Sequence, residues 1–206
     1  MQLGDKGLHA VKFLLAGAAE AWMVTPMVGE AIYARSLAEA AGVADRLRCV
    51  VAIAEELPFP SQSFDGIYSG GCVHHMVTEL ALPEIARVLA DGGRFAAVEP
   101  WKAPLHTIGT KLLGKREVEV ACRPLTTSRI EPLFQSFAEA HVMRHGALTR
   151  YPLLALSKLG VACPLSVAWY VHKIDDVICS VLPPLRRIGS SVALLGVKRS
   201  GDSRDI

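Results

Sequence analysis

The chain has 206 residues, 51% hydrophobic and 20% charged, which is enough apolar content for a packed core and too much for a disordered chain. Its 22 basic and 20 acidic residues leave a net charge of +2, and aromatics are only 6%. That balance excludes the basic stripe or stacking platform of a nucleic-acid binder and the polybasic patch of an anionic-membrane binder. Residues 8–15 have a helical pattern, and 20–24 form a short strand ending at Thr25-Pro26. An alanine-rich helix over 30–41 stops at Gly42, and 47–52 is a strand with apolar residues on both faces. A strand over 65–69 follows the turn-like Pro60-Ser61-Gln62-Ser63. Ile85, Val88 and Leu89 lie at helical spacing within 80–89, closed by Asp91-Gly92-Gly93, and 94–99 is a strand ending at Pro100.

Strands alternating with helices predict an α/β fold with a mostly parallel sheet and crossover helices. Ligands then sit at the carboxyl ends of the strands, here near Thr25, Ala52-Ile53, Ser69-Gly70 and Glu99-Pro100. Residues 102–124, with the charged run Lys115-Arg116-Glu117, read as a connection over that edge. A helix over 126–137, a strand over 141–146 and a buried strand over 190–198 complete the set, and 201–206 is a polar tail. Residues 151–183 read as a helical insertion of two apolar segments split by Cys163-Pro164, within one domain spanning 1–206. His172, Lys173, Asp175 and Asp176 interrupt the second segment, so it is not a membrane span. Asp5, Lys6, His9 and Lys12 likewise exclude a signal peptide at the start. Five scattered cysteines, none at CxxC spacing, point to a reducing cytoplasm and to no zinc site.

Residues 54–100 read AEELPFPSQSFDGIYSGGCVHHMVTELALPEIARVLADGGRFAAVEP. Glu55-Glu56-Leu57-Pro58-Phe59, Ser63-Phe64-Asp65, His74-His75, Arg87-Val88-Leu89 and Gly92-Gly93 follow one another in the order of a known pattern. In these residues the chain resembles the small-molecule branch of the class I S-adenosylmethionine-dependent methyltransferases. The resemblance implies a Rossmann-like sheet and S-adenosylmethionine as the methyl donor. It also implies a cofactor site made by the turn Gly4-Asp5-Lys6-Gly7, by Thr25, by Ile53-Ala54-Glu55 and by Gly70.

The chain departs from the family in three places. Gly7 matches the last glycine of the family's Gly-x-Gly-x-Gly turn, while Leu3 and Asp5 fall where the earlier ones stand. The first strand is missing or truncated, so either the true start lies upstream or an edge of the cofactor site has been lost. Thr25 stands where the family places an acid on the ribose hydroxyls, and Ile53 where it places an aspartate on the adenine amino group.

His74 and His75, at the end of the fourth strand, are the candidate catalytic residues. A histidine titrating near neutrality suits a general base, the alternative being a helix cap and a packed ring. Glu99 either touches the acceptor or closes a strand end. Cys72 is a packed apolar residue rather than a nucleophile. His141 and His145, four residues apart on a strand, make no metal site. The expected activity is methyl transfer to an oxygen, nitrogen or carbon of a small, apolar acceptor. The alternative is a non-catalytic or repurposed relative that binds a partner or another ligand. Mean hydropathy is +0.32, and the apolar 151–183 insertion carries much of it. That insertion reads as packed against the sheet or as a homodimer interface, or else as a substrate pocket or a peripheral membrane contact.

Overall fold

The computed structural model describes residues 1–104 and 123–200. The expected connection over 102–124 falls mostly outside them, as do Cys122 and the tail 201–206. Seven strands form one sheet: β1 (Gln2–Leu3), β2 (Ala21–Thr25), β3 (Leu47–Val51), β4 (Phe64–Gly70), β5 (Leu89–Pro100), β6 (Glu139–His145) and β7 (Ser191–Val197). Their order is β3-β2-β1-β4-β5-β7-β6. The pairs from β3 to β5 are parallel, and β7 runs antiparallel to both β5 and β6. The order reverses between β1 and β4, which makes the carboxyl ends of these two strands a topological switch point and the natural crevice of the fold.

The first strand is therefore present, over Gln2–Leu3. Gln2 and Leu3 pair with Met23 and Val24 on one side and with Tyr68 and Ser69 on the other. Met1 extends the ladder on the β4 side by two bonds, to Gly66 O and from Tyr68 N. Below it a cavity of about 430 Å³, walled by Ala10, Phe13, Trp22 and Phe64, separates β2 from β4 at the start of the strands. It lies at the opposite edge of the sheet from the switch-point crevice.

Helices α1 (Leu8–Leu15) and α2 (Val28–Ala40) cover one face of β2 and β3. They bury Ala10, Val11, Leu14, Ala34 and Ala38 against Met23 and Leu47, and the small alanines let α2 approach closely. Helices α3 (Thr78–Val88) and α4 (Glu131–Ser136) cover the other face, where Leu82, Ile85 and Leu133 meet Ile67, Phe95 and Leu194. The α4 helix is shorter than the sequence suggests, because residues Ser128–Ile130 form a 3-10 turn instead. β5 starts five residues early. Asp91-Gly92-Gly93 is not a terminating turn but a bulge, with Gly92 at φ 71° and the register with β4 jumping from Phe64↔Leu89 to Gly66↔Arg94.

Two further helices, α5 (Arg150–Lys158) and α6 (Leu165–Val181), sit between β6 and β7, as expected of the insertion. Its packing differs from the expectation of burial against the sheet. Within α6 only Asp175 and Cys179 are buried, while Leu165, Trp169, Tyr170, Ile174 and Val177 stand in solvent. The Asp175 carboxylate anchors the helix by accepting from Leu148 N at 3.1 Å and from the Thr149 hydroxyl at 3.1 Å.

Candidate functional site

The turn after β1 is the most contorted piece of backbone in the described residues. Gly4, Asp5, Lys6 and Gly7 follow one another at φ 64°, 59°, 50° and 76°. Left-handed conformation costs a side-chain-bearing residue roughly 1–2 kcal/mol, so Asp5 and Lys6 need support. The fully buried Gln2 side chain supplies part of it. Its amide nitrogen donates to Gly4 O at 2.8 Å, and its oxygen accepts from Ala10 N, an otherwise orphan donor in the first turn of α1. Asp5 is held by His9 Nδ1 at 2.9 Å, and the His9 ring lies 4.6 Å from that of Tyr68. Both glycines are demanded by close approach. A Cβ on Gly4 would lie 2.2 Å from Cys72 Sγ, and one on Gly7 would lie 2.4 Å from Ala34 Cβ.

Across the crevice, Glu99 at the end of β5 organises the loop after β4. Its side chain is wholly buried. It accepts from the backbone N–H groups of Cys72 (3.0 Å), Val73 (2.9 Å) and His74 (3.3 Å), and from the Ser69 hydroxyl at 3.4 Å. His74 Nδ1 completes the set at 2.7 Å. A carboxylate oxygen can only accept from Nδ1 at this distance, which calls for the Nδ1–H tautomer of His74 and leaves Nε2 as its free acceptor. The His75 ring lies 3.8 Å from that of His74, centroid to centroid, and is more exposed. The two candidate histidines thus form a close pair of rings tilted 42° to one another, with His74 held by Glu99.

Thr25 is buried at the end of β2. Its hydroxyl accepts from Met27 N at 3.2 Å and donates to Glu30 Oε2 at 2.8 Å, so a carboxylate does stand at the end of this strand. It comes from the first turn of α2, which starts two residues earlier than expected. Ile53 is 49% exposed at the rim, and Ala54 is buried beside it. Glu55 turns away from the crevice and accepts from Val77 N at 2.7 Å, tying its loop to the start of α3. Leu57 N donates to Glu84, whose carboxylate also holds Arg87 at 2.7 Å, so the same loop has a second anchor. Gly70 packs beside the Tyr68 ring, and the next residue, Gly71, at φ 74°, faces open space.

Cys72 lies at the centre of the site. Burial and the nearby carboxylates of Glu99, Asp5 and Glu30 push its thiol up to about 12, so it stays protonated and unreactive. Burial first, then Asp5 and Glu99, also raise the Tyr68 hydroxyl. The carboxylates of Asp5, Glu30 and Glu99 stand around this crevice and suit a ligand with hydroxyls to donate and a positive charge to place. His141 and His145 lie outside it on β6, and four residues of strand put them roughly 13 Å apart, too far to share an ion.

A profile of the methyltransferase domain family matches residues 6–97. Among solved structures, the chain is similar to the geranyl diphosphate C-methyltransferase of Streptomyces coelicolor, crystallised with geranyl diphosphate and S-adenosyl-L-homocysteine. The identity is 15% and the TM-score 0.65 over 96% of this chain and 69% of that one. The YcgJ protein of Bacillus subtilis is 19% identical, with a TM-score of 0.61 over 97% of this chain and 91% of that one. The (4+2)-cyclase SpnF is 20% identical, with a TM-score of 0.64 over 97% and 75%. Identities this low establish a shared fold, and a cyclase among the matches illustrates that the fold alone does not fix the reaction.

Proposed function

We propose that this chain is a class I S-adenosylmethionine-dependent methyltransferase and that it transfers a methyl group to a small, apolar acceptor. The observation that carries the reading is the span of the domain match, residues 6–97. It runs from within the strained turn after β1 almost to Glu99 and so takes in both walls of the switch-point crevice. The residues there suit S-adenosylmethionine. Glu30, held by Thr25, offers a carboxylate to the ribose diol, and the Gly4–Gly7 turn and Gly71 leave backbone open to its amino-acid end. Ile53 and Ala54 give the adenine an apolar edge. The carboxylates that raise Cys72 favour a sulfonium cation. When bound, S-adenosylmethionine supplies the methyl group in activated form.

The chain's own part is alignment and proton transfer. Glu99 holds His74 Nδ1–H, and His74 Nε2 takes the proton from an acceptor hydroxyl or amine as the methyl arrives. His75, its ring against that of His74, borders the acceptor. An apolar acceptor is supported by α5 and α6, attached at the ligand edge after β6, and by the isoprenoid bound in the geranyl diphosphate methyltransferase.

Calorimetric titration with S-adenosylmethionine and S-adenosylhomocysteine tests the reading, followed by transfer of labelled methyl to a panel of apolar phenols, amines and isoprenoids. Binding in the micromolar range is expected. Glu30→Gln should weaken it by roughly tenfold or more, since a hydrogen bond to a charged group is worth about 1.5–3 kcal/mol. A folded chain that binds neither compound at millimolar concentration refutes the function. Intact binding in Glu30→Gln refutes only the ribose contact.

A further inference from the structure

Residues Val73–His75 form a single 3-10 turn that carries both candidate histidines. Its own bonds run from His75 N to Cys72 O at 3.0 Å and from Met76 N to Val73 O at 3.1 Å. A helical turn leaves its first donors and last acceptors without internal partners. The donors of Cys72, Val73 and His74 all go to Glu99. The carbonyls at the other end meet a cation. Arg129 Nη1 donates to His74 O at 3.3 Å and Arg129 Nη2 to Met76 O at 2.7 Å, and Nη1 also donates to Arg123 O. A carboxylate thus closes the N–H side of the turn and a guanidinium its C=O side.

Arg129 reaches this place from a segment seated on the same strand as Glu99. The fully buried Leu125 donates its N–H to Pro100 O at 3.0 Å and accepts from Lys102 N at 2.9 Å, in a parallel bridge with Trp101. Arg123 N adds a bond of 3.3 Å to His74 O. The Thr126 hydroxyl accepts from Arg129 N at 3.4 Å, and Ile130 beside it is buried, which fixes the backbone from which the arginine extends. The end of β5 therefore holds the histidine turn twice, directly through Glu99 and, by way of Leu125, through Arg129. Water could satisfy carbonyls at a half-buried rim, but it could not fix their direction. A guanidinium is a rigid planar fork with five donors, and this one spans carbonyls on either side of His75. With Cys72 O on its N–H and Arg129 on its C=O, the His74–His75 peptide is held at both polar atoms.

We propose that Arg129 is a positioning residue of this site, which fixes the peptide between the two histidines so that His74 Nε2 and the His75 ring meet the acceptor in one orientation. Its kinetic consequence rests on the methyl-transfer reading, whereas the clamp on the turn does not, so the two fail separately. Hydrogen exchange of the full chain, read by NMR, compares the amides of His75 and Met76 with those of β5. In Arg129→Met, which keeps the length of the side chain without its charge or donors, the two turn amides should exchange roughly tenfold or more faster, with β5 unchanged. With labelled S-adenosylmethionine and an acceptor active in the panel, kcat should fall by roughly tenfold to hundredfold, the scale of a small misplacement of a catalytic group, while KM for S-adenosylmethionine stays within about twofold. Arg129→Lys keeps the cation and can still reach one carbonyl, so it should recover part of both losses, and it carries the test if the methionine variant is unstable. Unchanged exchange at His75 and Met76 overturns the clamp. Faster exchange with kcat unchanged makes Arg129 a brace for the fold alone and overturns its positioning role. A wild type that transfers no methyl refutes the function and the kinetic role with it, and the exchange rates then decide the clamp.

Discussion

Replacing Glu99 separates its two roles, bracing the β4 loop and setting the His74 tautomer. Glu99→Ala leaves three backbone N–H groups and the His74 Nδ1–H facing a void. Each buried donor left without a partner costs about 1–3 kcal/mol, together a large part of the ~5–15 kcal/mol that holds a domain folded. Glu99→Gln is the sharper probe. Its oxygen can still serve Cys72 and Val73, but its NH₂ then faces His74 N–H and Nδ1. One backbone donor loses its partner and a charge-assisted bond goes, for about 2–3 kcal/mol. The imidazole must also turn to the Nε2–H form to accept from the new amide. In urea, Glu99→Gln should lower the unfolding midpoint by about 1 M. Long-range ¹⁵N correlation spectra should show His74 exchanging Nδ1–H for Nε2–H, and turnover should fall by about 10²–10⁴ as the basic nitrogen is lost. An unchanged midpoint with an unchanged tautomer would refute the clamp, whatever the activity did.

Gly4→Ala sets a methyl 2.2 Å from Cys72 Sγ at a left-handed φ. It should cost about 1–3 kcal/mol in overpacking and ~1–2 kcal/mol in backbone strain. Adding Cys72→Ala, whose Cβ lies at 3.3 Å, should recover the overpacking part in denaturant titration, and simple additivity of the two changes would refute the contact. Arg87 holds the Glu84 carboxyl below its usual 4.5. A lowered folded pKa stabilises above the unfolded value, and that stability drains away as pH falls through the folded one. The melting temperature of wild type should therefore exceed that of Glu84→Gln at neutral pH, and the gap should close as pH falls through the lowered folded value. A gap independent of pH would mean that the pair acts by packing alone.

The alternating half of the fold was legible because proline and glycine punctuate it: Thr25-Pro26 and Gly42 stop their elements near where the chain shows them stopping, and the turn opened by Pro60 leads into β4. The same rule misled at Asp91-Gly92-Gly93, where glycine serves a bulge inside a strand. His74 and Glu99 were both legible as strand-end residues, and neighbouring parallel strands bring such ends together. Glu30 was missed as a site residue. Comparing strand ends alone shows Thr25 where an acid belongs, while the acid arrives five residues later on the first helical turn. A threonine at a strand end followed at that distance by a glutamate in an opening helix was the available signal. Apolar content in 165–181 suggested burial, but content does not say which face will be covered, and this helix buries only Asp175 and Cys179.

The separate core under α1 and α2 bears on cooperativity. These helices bury their own small set of side chains against β2 and β3, apart from the larger core on the opposite face of the sheet. A unit with its own core opens locally at lower free energy than the whole, so its amides should exchange with solvent ahead of those in β4, β5 and β7. A ligand that touched Glu30 on one side of the switch point and the Cys72–His74 loop on the other would add its binding free energy to the join between the two cores.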